Sequence, residues 1–452
     1  MSTTRNLIVD YYDRLPDVIA RCVTDTAPVK DPAAFSPGFL LPDLDEPVRE
    51  YFAAATARWT PLVEHRSGRL TLLDLTRNPA THTTKTLASL LIVARAVEYI
   101  RRTGEPIMIF SPTSANKGTA LRDAVYRAVG TGLVTPQQLR VAILAPEGCR
   151  DKLRGGGLAD DGALRALNPV FVHSGDEPER VKAIGREFVT AYASQVRQRQ
   201  GTNLWFSLEL RNYLIADAAR AFFEHEVDPT AGAGPRLHAH AVSSAFGLLG
   251  YNAGRDLLEE AGLASPADRP SFLLVQHLGT PDMVLNLRHG DFDRARMPDY
   301  RYDTASGLHT QSTDPRFPAV THDPAEVLDP TFYTHMPVTS PSMNELIGRF
   351  GGDGIVVSLH ECLERYPLVR QWLAGTDRPL PADPRRLREW SLVMAFTGVL
   401  NALDRGLSDV DRDVVVHGTG TYGLGDYPAL EESATVPVDT ADDVARALLG
   451  TP

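Results

Sequence analysis

The chain is poor in cysteine and has no long apolar run. Its three cysteines, Cys22, Cys149 and Cys362, are widely spaced and form no C-x-x-C pair. This spacing argues against a disulfide framework and against a zinc site, and it fits a reducing cytoplasm. The N-terminus lacks the apolar core of a signal peptide, and no apolar run is long enough to span a bilayer. We therefore expect a cytoplasmic protein with no metal ion and no membrane partner.

An excess of positive charge is also missing. The formal net charge is −11 at pH 7, which argues against broad electrostatic binding to nucleic acid. With 43% hydrophobic and 23% charged residues, the composition is that of a globular protein. A length of 452 residues favours more than one domain.

Lysine is the third scarcity, since only five of the 46 basic side chains are lysines. One of them, Lys85, follows a threonine-rich segment and precedes apolar residues at helical spacing, namely Leu87, Leu90 and Leu91. Arginine cannot form an imine because its guanidinium stays protonated, so a lysine at a helix start indicates a need for a primary amine. Burial and the helix dipole both favour the neutral amine, which is the form that attacks an aldehyde. The alternative is a solvated first-turn lysine that pairs with Asp74.

Strand-like apolar segments alternate with helical segments along most of the chain. Strands are predicted at 106–110, 141–145, 170–173, 237–242, 271–276 and 413–416. This alternation predicts an α/β fold with mostly parallel sheets covered by helices. Near the N-terminus we expect helices over 8–22 and 46–58, whereas residues 279–335 match no motif.

A turn of small polar residues follows the strand predicted at 106–110. It comprises Thr113, Ser114, Ala115, Asn116, Lys117 and Gly118, and a helix follows it. Such a turn directs backbone amides and short side chains at one point and can bind an anion. The alternative is an ordinary helix cap formed by Ser114 or Asn116.

A second turn of small residues, 243–250, joins the strand predicted at 237–242 to a helix. Backbone amides at the helix start, the hydroxyls of Ser243 and Ser244, and the small Gly247 can together hold a phosphate. The alternative is a structural loop between a strand and a helix.

A third segment, 418–423, is rich in glycine and follows the strand predicted at 413–416. It matches the pattern G-x-G-x-x-G, which makes a nucleotide (NAD)-binding oxidoreductase the alternative function. A dinucleotide site also needs a following helix, a second strand and an acidic residue about 20 positions later. The short remaining sequence, with Gly425 and Pro428, does not supply them. We therefore interpret the segment as a wall of small residues in which Thr419 or Thr421 faces a heterocycle nitrogen.

Together these segments resemble the fold-type II pyridoxal phosphate enzymes, and threonine synthase in particular, across residues 72–425. The segment Asn-Pro-Ala-Thr-His-Thr-Thr-Lys that ends at Lys85 resembles the family's Pro-Thr-x-x-x-Lys segment. This implies that Lys85 forms the imine with the cofactor. The segment Thr-Ser-Ala-Asn-Lys-Gly at 113–118 resembles the Thr-Ser-Gly-Asn-x-Gly turn, in which asparagine contacts the cofactor's phenolic oxygen. The resemblance gives that role to Asn116.

Three further segments carry the resemblance. Val-Ser-Ser-Ala-Phe-Gly at 242–247 lies where the family has its phosphate loop, Pro-Thr-Gly-Asn-Phe-Gly. The implied phosphate-binding residues are Ser243, Ser244, Ala245, Phe246 and Gly247. Thr-Ser-Pro-Ser-Met-Asn at 339–344 resembles a Ser-Pro-Ser-Met-Asp segment of threonine synthase. Val-His-Gly-Thr-Gly at 416–420 falls where the family places a threonine at the pyridine nitrogen, which implies Thr419, with Thr421 as the alternative.

The resemblance implies a two-domain fold like that of the tryptophan synthase β subunit, and a homodimer. The larger, cofactor-binding domain would comprise 1–105 and 226–452, and the smaller α/β domain would comprise 106–225. The implied activity is a β- or γ-elimination or replacement on an amino acid, either in threonine metabolism or in a specialised biosynthetic step. A protein of this fold that binds pyridoxal phosphate without catalysis is a further alternative.

The turn at 113–118 is then the expected substrate site. Thr113, Ser114 and the turn amides would bind the substrate carboxylate, and Lys117 would add a positive charge. His82 lies three residues before Lys85. It is either an acid–base group that lies against the cofactor ring or a polar turn residue.

Overall fold

The strands of this protein form two main sheets, which belong to different parts of the chain. The computed structural model describes residues 2–66, 68–175, 177–228, 236–408 and 412–450. The chain divides into two compact units. Unit 1 comprises 1–5, 56–77 and 217–424, and unit 2 comprises 6–55, 78–216 and 425–452.

The secondary structure alternates between strands and helices, as the sequence predicts. The strands are β1 (Thr3–Asn6), β2 (Thr56–His65), β3 (Gly68–Asp74), β4 (Ile107–Pro112), β5 (Leu139–Pro146), β6 (Val170–His173), β7 (Asn203–Phe206), β8 (Leu237–Ala241), β9 (Ser271–His277), β10 (Arg301–Asp303), β11 (Leu308–Thr310), β12 (Val320–Thr321), β13 (Gly352–Val357), β14 (Leu387–Glu389), β15 (Val414–Gly418), β16 (Tyr422–Gly423) and β17 (Thr435–Pro437). The α-helices are α1 (Leu15–Cys22), α2 (Glu46–Tyr51), α3 (Lys85–Thr103), α4 (Asn116–Gly130), α5 (Gly162–Leu167), α6 (Arg180–Gln200), α7 (Arg211–Val227), α8 (Phe246–Glu260), α9 (Asp282–His289), α10 (Ser340–Phe350), α11 (Leu359–Leu373), α12 (Ser391–Asp404) and α13 (Ala441–Leu449).

Unit 1 is built on a seven-stranded sheet with the order β1-β2-β3-β15-β8-β9-β13. The strands from β3 to β13 in this order are parallel, whereas β2 pairs antiparallel with β3. Because side chains alternate along a strand, each central strand presents two different faces. Leu237, Ala239 and Ala241 of β8 pack on one face in a core that includes α11 and α12. The residues between them, His238 and His240, belong to the opposite face. They contact buried polar side chains of α7 and β15.

Unit 2 is built on a five-stranded sheet with the order β17-β6-β5-β4-β7. All four strand pairs are parallel. Phe110, Leu144 and Phe171 from three of these strands pack in one core with residues of α6 and α13. Helices α3 and α4 pack against each other, and α4 also packs against β5. Their first residues are Lys85 and Asn116, so two of the predicted site residues open neighbouring helices.

The compact units differ from the predicted domains, 1–105 with 226–452 and 106–225. Helix α3 belongs to unit 2 because it packs against α4. The C-terminal segment also belongs to unit 2, because β17 pairs with β6 and α13 packs against α6. The domain boundaries themselves stay a prediction.

Two expectations for local structure need correction or completion. The helix predicted over 46–58 ends at Tyr51, and β2 begins at Thr56 after a short turn of 3-10 helix. The segment 279–335, which matches no motif, contains α9 and a small antiparallel sheet of β10, β11 and β12.

The helices can also be judged by length and hydropathy. Within the part of the chain that the structure describes, no helix combines the length and the apolar character needed to cross a membrane.

Two glycines in helices of unit 1 give a matched test of the packing. A Cβ atom built on Gly254 of α8 would lie 2.2 Å from the carbonyl oxygen of Ala218 in α7, whereas one built on Gly348 of α10 meets nothing within 4 Å. We predict that Gly254→Ala lowers the free energy of unfolding by about 1–3 kcal/mol, as overpacking does. Gly348→Ala should raise it by about 0.5–1 kcal/mol, because alanine favours a helix over glycine. Thermal and urea unfolding measure both values, and a stabilising Gly254→Ala would contradict the close helix contact.

Candidate functional site

Lys85 is the first residue of α3, as the sequence predicts. Its side chain is half-buried, and Nζ lies 5.2 Å from the centre of the Tyr213 ring. The backbone amide of Lys85 donates to Oγ1 of Thr83 over 3.4 Å, while the N-cap residue Thr84 makes no side-chain cap bond. The amine therefore lies at a helix start, where the dipole disfavours a positive charge.

The loop before Lys85 is held by buried hydrogen bonds. The amide of His82 donates to the carbonyl of Asn78 over 2.8 Å. The guanidinium of Arg154 donates to the carbonyls of Ala80 and Thr81 over 2.8 and 2.6 Å. His82 is only 3% exposed and has a φ of 50°, in the left-handed region. His82 is therefore a buried residue of a strained turn, and its expected roles, as an acid–base or ring-stacking group or as a polar turn residue, stay predictions.

The turn after β4 differs from the helix cap that the sequence left open. The N-cap residue of α4 is Ala115, which has no side-chain oxygen, and no side-chain cap bond is formed there. Instead Oγ1 of Thr113 accepts the amide of Gly118 over 2.8 Å. Gly118 is required because a Cβ atom there would lie 2.7 Å from Cγ2 of Thr113. Ser114 and Asn116 stay half-buried.

Lys117 lies deeper than its predicted role of an added cation implies. It is 8% exposed, and its ammonium donates to the backbone carbonyl of Ser207, the residue after β7. Burial, together with the positive charge of Lys85 as the smaller cause, lowers the pKa of Lys117 from its ordinary value to about 7. Near neutral pH this side chain therefore exchanges between the amine and the ammonium forms.

In unit 1, the predicted phosphate loop joins β8 to α8. Ser243 and Ser244 are half-buried, and Ala245 has a φ of 48° and a ψ of 19° before the helix begins at Phe246. The amides of Phe246 and Gly247 belong to the first turn, where backbone amides have no acceptor within the helix. This geometry is that of an anion-binding helix start.

The segment that resembles Ser-Pro-Ser-Met-Asp lies against this loop. Thr339 is the N-cap residue of α10, and its hydroxyl donates to the carbonyl of Ser244 over 2.6 Å. The sequence showed the similarity of this segment but gave Thr339 no role. The structure indicates that it positions the predicted phosphate loop.

Arg220 of α7 lies beneath the same loop, although no sequence pattern indicated it. It is 1% exposed, and a Cβ atom built on Gly247 would lie 2.6 Å from its guanidinium nitrogen Nη2. Its Nε donates to Asp217 over 2.9 Å, and its Nη1 contacts His240 and His417 at 3.3 and 3.2 Å. A side chain larger than that of glycine at position 247 would therefore clash with the guanidinium of Arg220.

The contacts of Arg220 fix the proton positions in a buried chain of histidines. A guanidinium can only donate, so Nδ1 of His417 accepts and its Nε2 must carry the proton. That proton is donated to Nδ1 of His238 over 3.1 Å, and Nε2 of His238 donates to Glu224 over 3.2 Å. Burial, with His238 and Arg220 beside it, holds the pKa of His417 well below its ordinary value. His417 is therefore neutral.

Glu224 ends this chain as a carboxylate. Burial alone would raise its pKa, but His238, Arg236 and the hydroxyl of Tyr251 outweigh burial and hold the pKa of Glu224 below its ordinary value. Arg236 donates to it over 2.7 Å and Tyr251 over 2.6 Å. Buried hydrogen bonds from His417 of β15 through His238 of β8 thus reach Glu224 of α7.

The third predicted segment follows β15. No helix follows its glycines, since Tyr422 and Gly423 form strand β16, which pairs with β14. Thr419 and Thr421 are buried, at 7% and 6% exposure. A Cβ atom on Gly420 would lie 2.8 Å from Cγ of the buried Glu389, an acidic neighbour that the sequence did not indicate. The strand after the glycines argues against a dinucleotide site, which needs a helix there.

Residues with strained backbone occur in three of the loops that were predicted to form the site. Among the described non-glycine residues, a positive φ occurs at Arg66, His82, Ala115, Ala245 and Met336. Three of these five lie in the loop before Lys85, in the turn at 113–118 and in the loop at 243–247. Ala115 has a φ of 78° and a ψ of −57°, close to the rare classic γ-turn. Strained residues of this kind cluster at functional sites.

We compared the chain with curated protein sequences, with protein-family models and with solved structures. A comparison with curated protein sequences finds no match. The sequence model of a family described as a family of unknown function (DUF6002) matches residues 3–451.

Several solved structures are similar to this chain. Yeast threonine synthase has a TM-score of 0.51 and 13% sequence identity over 90% of this chain and 76% of that chain. The pyridoxal phosphate-bound threonine synthase of Brucella melitensis has a TM-score of 0.46 and 11% identity over 86% of this chain and 75% of that chain. A fungal L-serine ammonia-lyase from Rhizomucor miehei has a TM-score of 0.45 and 14% identity over 80% and 94%.

The similarity to yeast threonine synthase shows the fold. The α/β fold class and the resemblance to fold-type II pyridoxal phosphate enzymes are confirmed. At 13% identity the similarity concerns the fold alone, and the roles of individual residues remain predictions.

The strain at Ala115 gives a test within unit 2. Glycine adopts a positive φ without steric cost, so we predict that Ala115→Gly raises the free energy of unfolding by about 1 kcal/mol. The control is Ala120→Gly, a buried position inside α4, which should lower it by about 1 kcal/mol. Urea unfolding of the two variants measures the difference. Equal losses in both variants would show that Ala115 is not strained.

Proposed function

The chain belongs to the DUF6002 family, and we propose that it is a pyridoxal phosphate-dependent enzyme of amino-acid metabolism. The proposed reaction is elimination or replacement at the β or γ carbon of an amino-acid substrate. The lyase or transferase class, a specialised biosynthetic role, a cytoplasmic location and a homodimer belong to the same proposal.

One observation supports this proposal most strongly. The loop that precedes Lys85, the turn at 113–118 and the loop at 243–247 were selected from sequence, and each contains a non-glycine residue with positive φ. Folding does not require strain at these places, since ordinary turns connect strands and helices without it. Strain that persists in three such loops indicates that they are shaped to bind something.

The residues present fit the cofactor. A half-buried primary amine at a helix start supplies the group that pyridoxal phosphate needs for attachment. Gly247 lies where a Cβ atom would meet the guanidinium of Arg220, so a positively charged group packs beside the start of α8, where a phosphate would bind. Oγ of Ser207 is buried with no hydrogen-bond partner, which leaves a polar atom for a bound group in unit 2. When bound, the cofactor supplies an electron sink for the electron pair left on the α-carbon when its proton departs.

The proposed roles follow from these positions. Lys85 would hold the cofactor, and its freed Nζ would take the substrate α-proton. Asn116 would orient the ring through its phenolic oxygen, and Thr419, or else Thr421, would face the ring nitrogen. Residues 243–247 would bind the phosphate through backbone amides and the two serine hydroxyls.

Other residues of unit 2 would bind and orient the substrate. Ser114 and the amides of the 113–118 turn would receive the substrate carboxylate. Thr113 keeps the turn in shape through its bond to the amide of Gly118. His82, buried three residues before Lys85, would lie against the ring and hold or move a proton near it.

The other two functions considered have less support. An NAD-binding oxidoreductase rests on the glycine pattern at 418–423, and strand β16 stands where a dinucleotide site needs a helix. A non-catalytic protein of this fold is the less favoured alternative because the chain keeps the amine of Lys85 at the start of α3, where it can also serve as a base.

Cofactor attachment is the first test. On addition of pyridoxal phosphate, the protein should gain a visible absorption band that Lys85→Ala abolishes. Lys182→Ala is the matched control, because Lys182 pairs with Glu179 on α6 and should keep the band. A wild-type protein that stays colourless, or a Lys85→Ala protein with an unchanged band, would reject the proposed attachment.

The reaction is tested with candidate substrates. Phosphorylated and acylated homoserines and serines should release phosphate, acetate or ammonia in the presence of the loaded protein. Because Lys85 is the proposed base, Lys85→Ala should lower the rate by about 10²–10⁴-fold. Assays for each product identify the leaving group, and turnover that survives in Lys85→Ala would place the chemistry elsewhere.

A further inference from the structure

The position of Lys117 carries an inference that rests on the proposed function and extends it. Lys117 is the second residue of α4, and its ammonium reaches the carbonyl of Ser207 at the end of β7. Strands β4 and β7 are parallel neighbours, so the turn at 113–118 and Ser207 follow adjacent strand ends. The amine of Lys117 therefore lies at the carboxyl edge of the five-stranded sheet, where the predicted substrate turn meets the end of β7.

The charge of Lys117 is poorly compensated. An ammonium has three N–H donors, whereas the acceptor found for Lys117 is one uncharged carbonyl, and within the described ranges no carboxylate lies within ion-pair distance of it. Lys182, in contrast, lies 2.7 Å from a carboxylate oxygen of Glu179. A buried ammonium without an anion is costly, because the low-dielectric interior replaces water around the charge.

A neighbouring positive charge, that of Lys85, adds to the cost of an ammonium at Lys117. Helices α2 and α3 and strand β5 pack against α4, and each of them carries charged residues. These residues, with those of α4 itself, are Glu46, Arg49 and Glu50 on α2, Lys85, Arg95, Glu98, Arg101 and Arg102 on α3, Arg140 on β5, and Arg122, Asp123 and Arg127 on α4. Among these, Lys85 is the group whose charge changes the pKa of Lys117, and it lowers that pKa. Lys117 is therefore a mixture of amine and ammonium near pH 7, although a residue with a nearby carboxylate would stay charged.

The residue that Lys117 contacts carries a second polar atom, its side-chain hydroxyl. Ser207 is fully buried, and its hydroxyl oxygen has no hydrogen-bond partner. Buried hydroxyls are nearly always paired, so an unpaired one in the residue that accepts from Lys117 indicates a place for another group. An anion with several oxygen atoms would satisfy the remaining N–H donors and compensate the charge.

We propose that Lys117 binds an anionic group of the substrate and takes up a proton from solvent as it does so. In the free protein the side chain is largely the neutral amine above pH 7. When the anion arrives, the amine gains one proton and becomes an ammonium that pairs with it, and no covalent bond forms or breaks. If the proposed function holds, the anion is the carboxylate of an amino-acid substrate that enters the turn at 113–118.

Proton uptake makes anion binding depend on pH. An anion that binds the ammonium form must draw a proton from solvent when the free side chain is neutral. Above pH 8 the affinity should therefore fall about tenfold for each pH unit, until the bound form also loses its proton. A permanently charged arginine at this position would remove that dependence.

The test uses the full chain without cofactor, labelled with ¹³C at the ε carbon of lysine. The chain has only five lysines, so their resonances can be followed separately and Lys117 assigned from its loss in Lys117→Arg. Sodium sulfate is the probe, because sulfate does not titrate near neutral pH, and sodium chloride at equal ionic strength is the control. The Lys117 resonance should titrate near pH 7 in chloride and at least one unit higher in sulfate. A midpoint near the ordinary lysine value, or one that sulfate does not move, would overturn the proposal.

Calorimetry provides a measurement that needs no variant. Sulfate binding at pH 8, measured in two buffers with different ionisation enthalpies, should show uptake of close to one proton for each Lys117 site. Lys117→Arg should bind sulfate without uptake, and Lys117→Met should lose this binding. Wild-type binding that takes up no proton and that Lys117→Met leaves unchanged would contradict the proposed role.

The tests of Lys117 and of cofactor attachment can fail independently of each other. A Lys117 resonance that behaves as expected in a protein that gains no visible band would reject the pyridoxal phosphate proposal and keep the anion site. A visible band with an unresponsive Lys117 would do the reverse. Sulfate bound at the start of α8 would not move the Lys117 resonance, because the readout is specific to that side chain.

Discussion

The burial of Lys117, close enough to Lys85 to feel its charge, is the constraint on which the candidate site depends. Lys85 and Lys117 lie in the first turns of two helices that pack together, where the dipoles disfavour positive charge. The charge of Lys85 and burial act together on Lys117 and lower its pKa to about 7. The first turns of α3 and α4 therefore favour the neutral form of Lys117 and attract anions. Both properties are those that an imine-forming enzyme of acidic substrates requires.

The loops of the candidate site are strained, and the surrounding structure holds them in place. Arg154 fixes the loop before Lys85 through two backbone carbonyls, and Thr113 fixes the turn at 113–118. In unit 1, Thr339 and the buried Arg220 support the loop at 243–247. Such supports allow a residue to stay in an unfavourable conformation because the neighbouring bonds outweigh its cost. The arrangement resembles a preorganised binding site, in which shape is set before the ligand arrives.

Much of this could be predicted from sequence, and the remainder depends on contacts between distant residues. The start of α3 at Lys85 and the ends of β4 and β8 follow from changes between apolar and polar segments. The helix expected over 46–58 was wrong in its second half, because alanines that favour a helix occur in a turn before β2. The burial of Lys117 depends on Ser207, 90 positions later, and the contact of Arg220 with His417 spans 197 positions. No local pattern contains such information.

The most direct measurement is peptide mapping by mass spectrometry after incubation with pyridoxal phosphate and reduction with borohydride. Reduction makes the link between an amine and the cofactor permanent, so the modified lysine can be read from the fragments. Our account predicts that the phosphopyridoxyl group is on Lys85 at close to one group for each chain. Modification of Lys117 instead, or a low and even modification of all lysines, would contradict it.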